Sequence, residues 1–260
     1  MKRLLTAVLI LGALVTLLGL GTWQVQRLAW KQDLIARAES RPDLPAMPIA
    51  ELLAEAGFEA TATGPTFPAD FGDQNAYRRV ILQGHFVGDP VRVFTTLSAS
   101  IGDYEGPGFW LMHAFEGDFE VGFADSDIVF VNRGFVPFEL PPGVTVREAP
   151  TGEVQFEGLI RPDDTVGAFT PDPDYEGRLI YRRSVSQLLQ ATGIPAALPI
   201  TIDMPASAIG GLPQAGETKF TFSNRHLEYA ITWYGLAACL VGVVGVAWWR
   251  RRPDAEGNSE

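Results

Sequence analysis

Two uncharged apolar runs, one near each end of the chain, limit what this sequence can fold into. Leu4–Trp23 holds 20 residues without a charge, and Tyr229–Trp249 holds 21. At 1.5 Å of rise per residue the second run makes about 31 Å of helix, which matches a hydrocarbon core of roughly 30 Å. Both runs therefore read as transmembrane helices, with residues 24–228 forming a separate domain between them.

The first run follows Lys2-Arg3, as a signal peptide would, but its apolar part exceeds the usual length of about 7–15 residues. It ends in Gly21-Thr22-Trp23-Gln24 with no A-x-A-like site, and the only cysteine, Cys239, is not placed for a lipobox. An uncleaved anchor is the reading that follows. Three residues before the first span leave no room for an organelle presequence. Lys2-Arg3 before the first span and Arg250–Arg252 after the second place both ends in the cytoplasm by the positive-inside rule. Residues 4–249 carry 15 basic against 28 acidic residues, a balance that disfavours nucleic acid and anionic lipid as partners. One cysteine excludes an intrachain disulfide framework. The expected layout is a cytoplasmic N-terminus (1–3), a first span (4–23), a periplasmic domain (24–228), a second span (229–249) and a cytoplasmic tail (250–260), all in a bacterial inner membrane.

The first helix is expected to continue past the membrane, since no breaker precedes Arg41-Pro42. Trp23, Arg27, Trp30 and Leu34 share one face of it. Two readings stand: an interfacial aromatic belt with a snorkelling arginine, and a face packed on the outer domain. Pro45–Gly57 reads as a short helix closed by Gly57, and Thr61–Asn75 as a loop. Strands are expected from Tyr77, with Val80, Leu82 and Phe86 on one face and Arg79, Gln83 and His85 on the other. Gly88-Asp89-Pro90 reads as a turn, with Val91–Thr96 as the return strand of a hairpin. Further strands are expected around FWLMHAF, IVFVNRGFVP, VQFEGLIRP, RLIYRR and ITIDM. Ser184 is a candidate N-cap and Gly193 a C-terminal signal for the helix VSQLLQAT. The fold class is then a membrane protein of α+β type. Its two spans bracket a mainly antiparallel β domain, a small sheet or barrel with short helices.

Of the three histidines, His85 reads as a surface residue on a polar strand face and His113 as a hydrogen-bonded core residue. Neither has a partner at zinc-ligand spacing. The acidic run Asp172–Glu176 lacks the glycine and terminal Glu of a calcium loop. The outer domain has no Gly-x-Ser-x-Gly, His-Glu-x-x-His, phosphate-binding glycine loop or cysteine nucleophile, so a non-enzymatic role is expected. His226 differs, because it sits about one turn outside the second apolar run. It shares a helix face with Ala230, Trp233 and Ala237, and Tyr229 lies alongside. That face could accept a flat ligand with the imidazole as an axial haem ligand, and Arg225 could meet an anionic group such as a propionate. The other reading is a headgroup-level histidine, with Ala230 and Ala237 serving helix packing.

The pieces LGLGTWQVQRLAWK, YRRVILQGHF, VFVNRGFVP, VQFEGLIR and SNRHLEYAITWYGLA, in this order, resemble the Surf1/Shy1 family of cytochrome c oxidase assembly factors. The resemblance covers almost the whole chain. It implies two spans bracketing a periplasmic or intermembrane-space domain, and help in building the haem a centre of oxidase subunit I. It further implies transient binding of haem a, with His226 as the candidate ligand of the iron and Trp233 and Tyr234 at the motif's aromatic positions. Gly134 and Trp23 lie in two other signatures. Phe135, where many relatives carry Trp, Ser184, where an acidic residue is common, and FWLMHAFE depart from the family pattern. Arg225 or Arg27 would pair with propionates, and Tyr229 and Trp233 would flank the macrocycle. Subunit I, haem a synthase and other assembly factors are the expected partners. A scaffold for subunit I that never touches haem is the alternative, with Trp23–Leu34 and the outer sheet as its working surface.

Overall fold

The computed structural model describes residues 1–57, 59–61, 64–120, 127–164, 167, 170–206, 211–218 and 224–250. The side chains of Lys2, Arg3, Leu34, Arg37, Glu59, Ala60 and Thr61 lie outside the described set, as do Arg251, Arg252 and the acidic tail. The chain divides into two compact units, Met1–Ala36 with Thr221–Glu260 and Arg37–Phe220.

In chain order the elements begin with α1 (Lys2–Ser40), β1 (Met47–Pro48), α2 (Ile49–Ala56), β2 (Glu59–Thr61), β3 (Gly64–Thr66) and α3 (Phe71–Asn75). The long strands follow: β4 (Arg79–Leu97), β5 (Gly106–Gly117), β6 (Asp127–Pro137) and β7 (Val154–Arg161). The rest are β8 (Leu179–Ile180), α4 (Val185–Thr192), β9 (Thr201–Asp203) and α5 (His226–Trp249).

The unit Arg37–Phe220 is built on a mixed sheet. Antiparallel ladders join β4 to β5, β5 to β6, β4 to β7 and β7 to β9. Parallel ones join β1 to β4, β4 to β8 and β6 to β9, so the sheet is less uniformly antiparallel than the sequence suggests. The pairings β4–β5–β6–β9–β7 return to β4, because its first six residues, Arg79–Gly84, pair with β7 and its later part with β5.

This corrects the expected hairpin. The chain does not reverse at Gly88-Asp89-Pro90; β4 runs on through it, and the return strand is β5. Gly88 takes φ 69° and Pro90 has no N–H, so the β4–β5 register shifts between Val87 and Val91 instead of closing a turn. Strand β4 also starts two residues later than expected, because Tyr77 holds φ 67° with its N–H on the Ile160 carbonyl. The expected loop at Thr61–Asn75 contains β3, paired to β2, and α3, whose Phe71 is buried. Of RLIYRR only Leu179–Ile180 is strand.

Two apolar cores result. Val80, Leu82, Phe115, Val129, Val131, Ile160 and Ile202 pack with Leu52 and Leu53 of α2. Val91, Val93, Met112, Phe130 and Ile180 pack with Val185 and Leu188 of α4. Strand β6 contributes to both, which is why its side chains are buried on both faces. Helix α2 ends at Gly57 and α4 at Gly193, whose φ 73°, ψ 9° is the left-handed cap its glycine allows. The N-terminus of α4 is held differently from expectation. Ser184 makes no side-chain cap bond; the Asp163 carboxylate takes the Val185 N–H at 3.0 and 3.1 Å.

In the other unit, α1 and α5 are each long and apolar enough to cross a membrane. Helix α1 runs unbroken to Ser40, one residue short of Arg41-Pro42.

Candidate functional site

Within the helix unit, the less exposed positions of α1 include Ile10, Leu14, Leu17, Gly21 and Gln24, spaced alternately by four and three residues. Those of α5 are His226, Ala230, Trp233, Ala237, Leu240 and Val244, in the same rhythm. A 3.5-residue repeat on two helices is the pattern of faces that can pack against each other.

Three contacts join these faces in a seam. The Tyr234 ring lies over Gly21, where an added Cβ would come within 2.8 Å of the ring. The Tyr234 hydroxyl is 3.1 Å from Thr22 Oγ1. His226 Nδ1 is 2.8 Å from Gln24 Oε1. Small residues let two helices approach closely, and here Gly21, Ala230 and Ala237 are all buried.

This divides the face expected to receive a flat ligand. Ala230 (2% exposed), Ala237 (4% exposed) and Trp233 belong to the helix seam, so they do not form an open bed beside His226. The neighbouring row, Arg225 and Tyr229, is exposed. Trp233 Nε1 is buried, and no described residue accepts a hydrogen bond from it. On α1 the low-exposure face through Gln24 and Leu28 is rotated by one residue from the Trp23–Arg27–Trp30 stripe. Trp23 and Trp30 are about half exposed, and the Arg27 guanidinium lies 4.0 Å over the Trp30 ring.

His226 begins α5 just after its N-cap, Arg225, and its backbone N–H reaches Asn224 Oδ1 at 3.4 Å. A carboxamide oxygen only accepts, so in the bond to Gln24 Oε1 the ring donates from Nδ1. No described residue hydrogen-bonds Nε2. Histidines that bind metals commonly donate their second ring N–H to a carbonyl or carboxylate, which orients the ring and strengthens the donor nitrogen. Tested on donor chemistry, His226 fits an axial haem iron ligand through Nε2, with Arg225 and Tyr229 on the exposed flank. Gln24 was missed in sequence. Its signal was a polar side chain three residues after Gly21 on an apolar 3–4 repeat.

The other two histidines sit as expected. His85 is exposed, 3.2 Å from Glu116. His113 is buried, with Nε2 2.8 Å from the Gly88 carbonyl, and burial holds its pKa below the usual value, helped by Arg133, although the Gly88 carbonyl opposes the shift.

A dense polar centre in the sheet unit was not foreseen. Asp203 accepts from Asn132 Nδ2 at 3.0 Å, Arg183 Nη2 at 3.1 Å, Arg161 Nη1 at 3.2 Å and Thr218 Oγ1 at 2.6 Å. Burial pushes its pKa up, but the two arginines and the two neutral donors outweigh it and hold the carboxyl below its usual range. Gly134 sits at φ 132° against the Gln214 backbone, an approach that only glycine permits.

Comparison with known proteins places this arrangement. A model of the SURF1 family matches residues 11–238. A SURF1-like protein of Monosiga brevicollis is 32% identical over 88% of this chain and 82% of its own length. The Surfeit locus protein 1 of Rattus norvegicus is 32% identical over 86% of this chain and 69% of its own, and that of Homo sapiens 32% over 86% and 71%. Because the family match runs over most of the chain, taking in Gln24, His226 and the nine described strands, the chain belongs to the SURF1 family.

Proposed function

We propose that this protein assists cytochrome c oxidase assembly, the role implied by its family, by carrying haem a to subunit I. Haem a is cargo here: its iron supplies an open coordination position that a neutral imidazole can fill. His226 Nε2 is the ligand, and the carrying observation is the Nδ1–Gln24 bond that leaves this nitrogen's lone pair free. Arg225, exposed one residue before His226, pairs with a propionate, and Tyr229 lies against the edge of the macrocycle. Trp233 supports the ring from within the helix seam. A site with one protein ligand holds its cargo loosely enough for release to subunit I, and nothing in the role requires turnover by this chain. The two apolar helices anchor it in a bacterial inner membrane, with the sheet unit in the periplasm near haem a synthase and other assembly factors.

The test is to purify the full chain from cells that make haem a and record its optical spectrum beside that of His226→Ala. The wild type should retain haem and the variant should lose most of it; equal haem content in both would overturn the role of His226. The half-exposed Trp23 and Trp30 favour a second reading, a scaffold for subunit I without haem. Under it His226→Ala assembles oxidase fully, and Trp30→Ala does not.

A further inference from the structure

Where α1 and α5 meet, a largely apolar pair of faces includes a layer in which both residues are polar, Gln24 opposite His226. Gln24 is 8% exposed and 202 residues from His226 in sequence, so the fold brings them together. A buried carboxamide in such a seam needs a partner, and so does the imidazole it meets.

We infer that Gln24 is a positioning residue: its side-chain oxygen holds His226 in the Nδ1–H tautomer, turns the Nε2 lone pair outward and sets how strongly that nitrogen donates. This rests on the haem reading of His226, and it goes further by assigning the ligand's tautomer and strength to the first helix. The other source of order at His226, Asn224, takes the backbone N–H and leaves the ring free to rotate or exchange tautomers. Without an acceptor at Nδ1, the Nε2–H form that a free histidine side chain favours in water places a proton where the metal has to bind. Iron would then have to displace that proton. With Gln24 present, the donor nitrogen is bare before the cargo arrives.

Gln24 also fits a plainer role, a polar layer that fixes helix register, and the experiment separates the two. Full-length protein in nanodiscs, labelled with 15N-histidine, is compared as wild type, Gln24→Leu and Gln24→Glu, with His226→Ala used to assign the signal. Before haem is added, the wild type should show Nδ1–H at His226. Gln24→Leu should shift the ring toward Nε2–H, and Gln24→Glu, which keeps an acceptor, should restore the wild-type tautomer. After loading with haem, the iron–imidazole stretch should rise in the order Leu, Gln, Glu. Affinity for haem should fall roughly 10–100-fold in Gln24→Leu, as for other lost outer partners of a metal-bound histidine.

An unchanged tautomer in Gln24→Leu overturns the inference, even if that variant still binds haem through His226. An iron–imidazole stretch that is the same in all three proteins overturns the control of donor strength. Should Gln24→Leu fail to fold, the stretch in Gln24→Glu against wild type decides the question alone. A wild type that takes up no haem while its tautomer still follows Gln24 sinks the haem reading and keeps the Gln24–His226 coupling.

Discussion

Two of the molecule's polar centres are built on opposite terms. Asp203 is met by four donors from four separate segments, so its carboxylate is held from every side. His226 has one side-chain tie, to Gln24, and keeps one ring nitrogen free of any described hydrogen-bonding partner. The first pattern locks a fold: remove any one donor and the rest still define the geometry. The second orients a group without using it up, which is what a ligand site needs. A centre can be rigid because it is crowded or available because it is not, and this chain keeps the two conditions in separate units.

The sharpest way to break the contrast is Asp203→Ala. Two arginines lose their shared carboxylate in a setting where Arg183 is almost wholly buried. Breaking a buried pair from one side typically costs about 3–5 kcal/mol, because the remaining charge is left uncompensated. Hydrogen exchange on the full chain in mild detergent reads the two units separately. The amides of β6 and β9 should lose protection on that scale while those of α5 do not; a loss of only a few tenths of a kcal/mol would mean that Asp203 is not the centre described. The same carboxylate gives an acid limb. Its folded pKa is depressed below the unfolded value of about 3.9, so its stabilisation is complete above that pH and fades as pH falls through the folded value. In Asp203→Asn that part of the acid dependence should vanish.

Gly21→Leu tests the helix unit in the same way, with a smaller expected effect. A side chain at Gly21 meets the Tyr234 ring at less than contact distance, and that ring belongs to the seam's own neighbour. Overpacking of this kind costs about 1–3 kcal/mol. Exchange at the first turns of α5 should accelerate, with β6 and β9 unaffected, as the Gln24–His226 pair loses its fixed spacing. Unaltered α5 protection would show that the helices do not meet at Gly21.

What could be read in the sequence follows the range of the interactions involved. Helix ends were legible because their signals are local: Pro42 two residues past Ser40, Gly57 after α2, Gly193 in its left-handed cap. The alternation of Val80, Leu82 and Phe86 gave the correct inward face of β4. The continuation of β4 past Pro90 was not legible, because it depends on β5 and β8 holding the strand on both sides of the bulge. The Asp203 centre draws on residues 132, 161, 183 and 218, and no spacing rule links them. His226 was legible as an ionisable group at the edge of an apolar run. Its partner was not, because the large Trp23–Trp30 stripe drew attention to a face one residue away from Gln24.

The finest test concerns the neighbour of that pair, the Thr22–Tyr234 contact at 3.1 Å between two exposed hydroxyls. Thr22 already donates to the Leu18 carbonyl at 2.9 Å, so in this contact the Tyr234 O–H is the donor. Interhelical hydrogen bonds between side chains in bilayers average about 0.6 kcal/mol, because the separated helices find other partners for the same groups. A double-mutant cycle with Thr22→Val and Tyr234→Phe, read by unfolding of the helix unit on titration with a denaturing detergent, should give a coupling near that value. The ring of Tyr234→Phe still covers Gly21, so close approach survives. A coupling well above 1.5 kcal/mol would make the hydroxyl pair a principal clamp of the two helices. The seam would then owe its order to polar ties, and the contrast with the Asp203 centre would narrow to a difference in number.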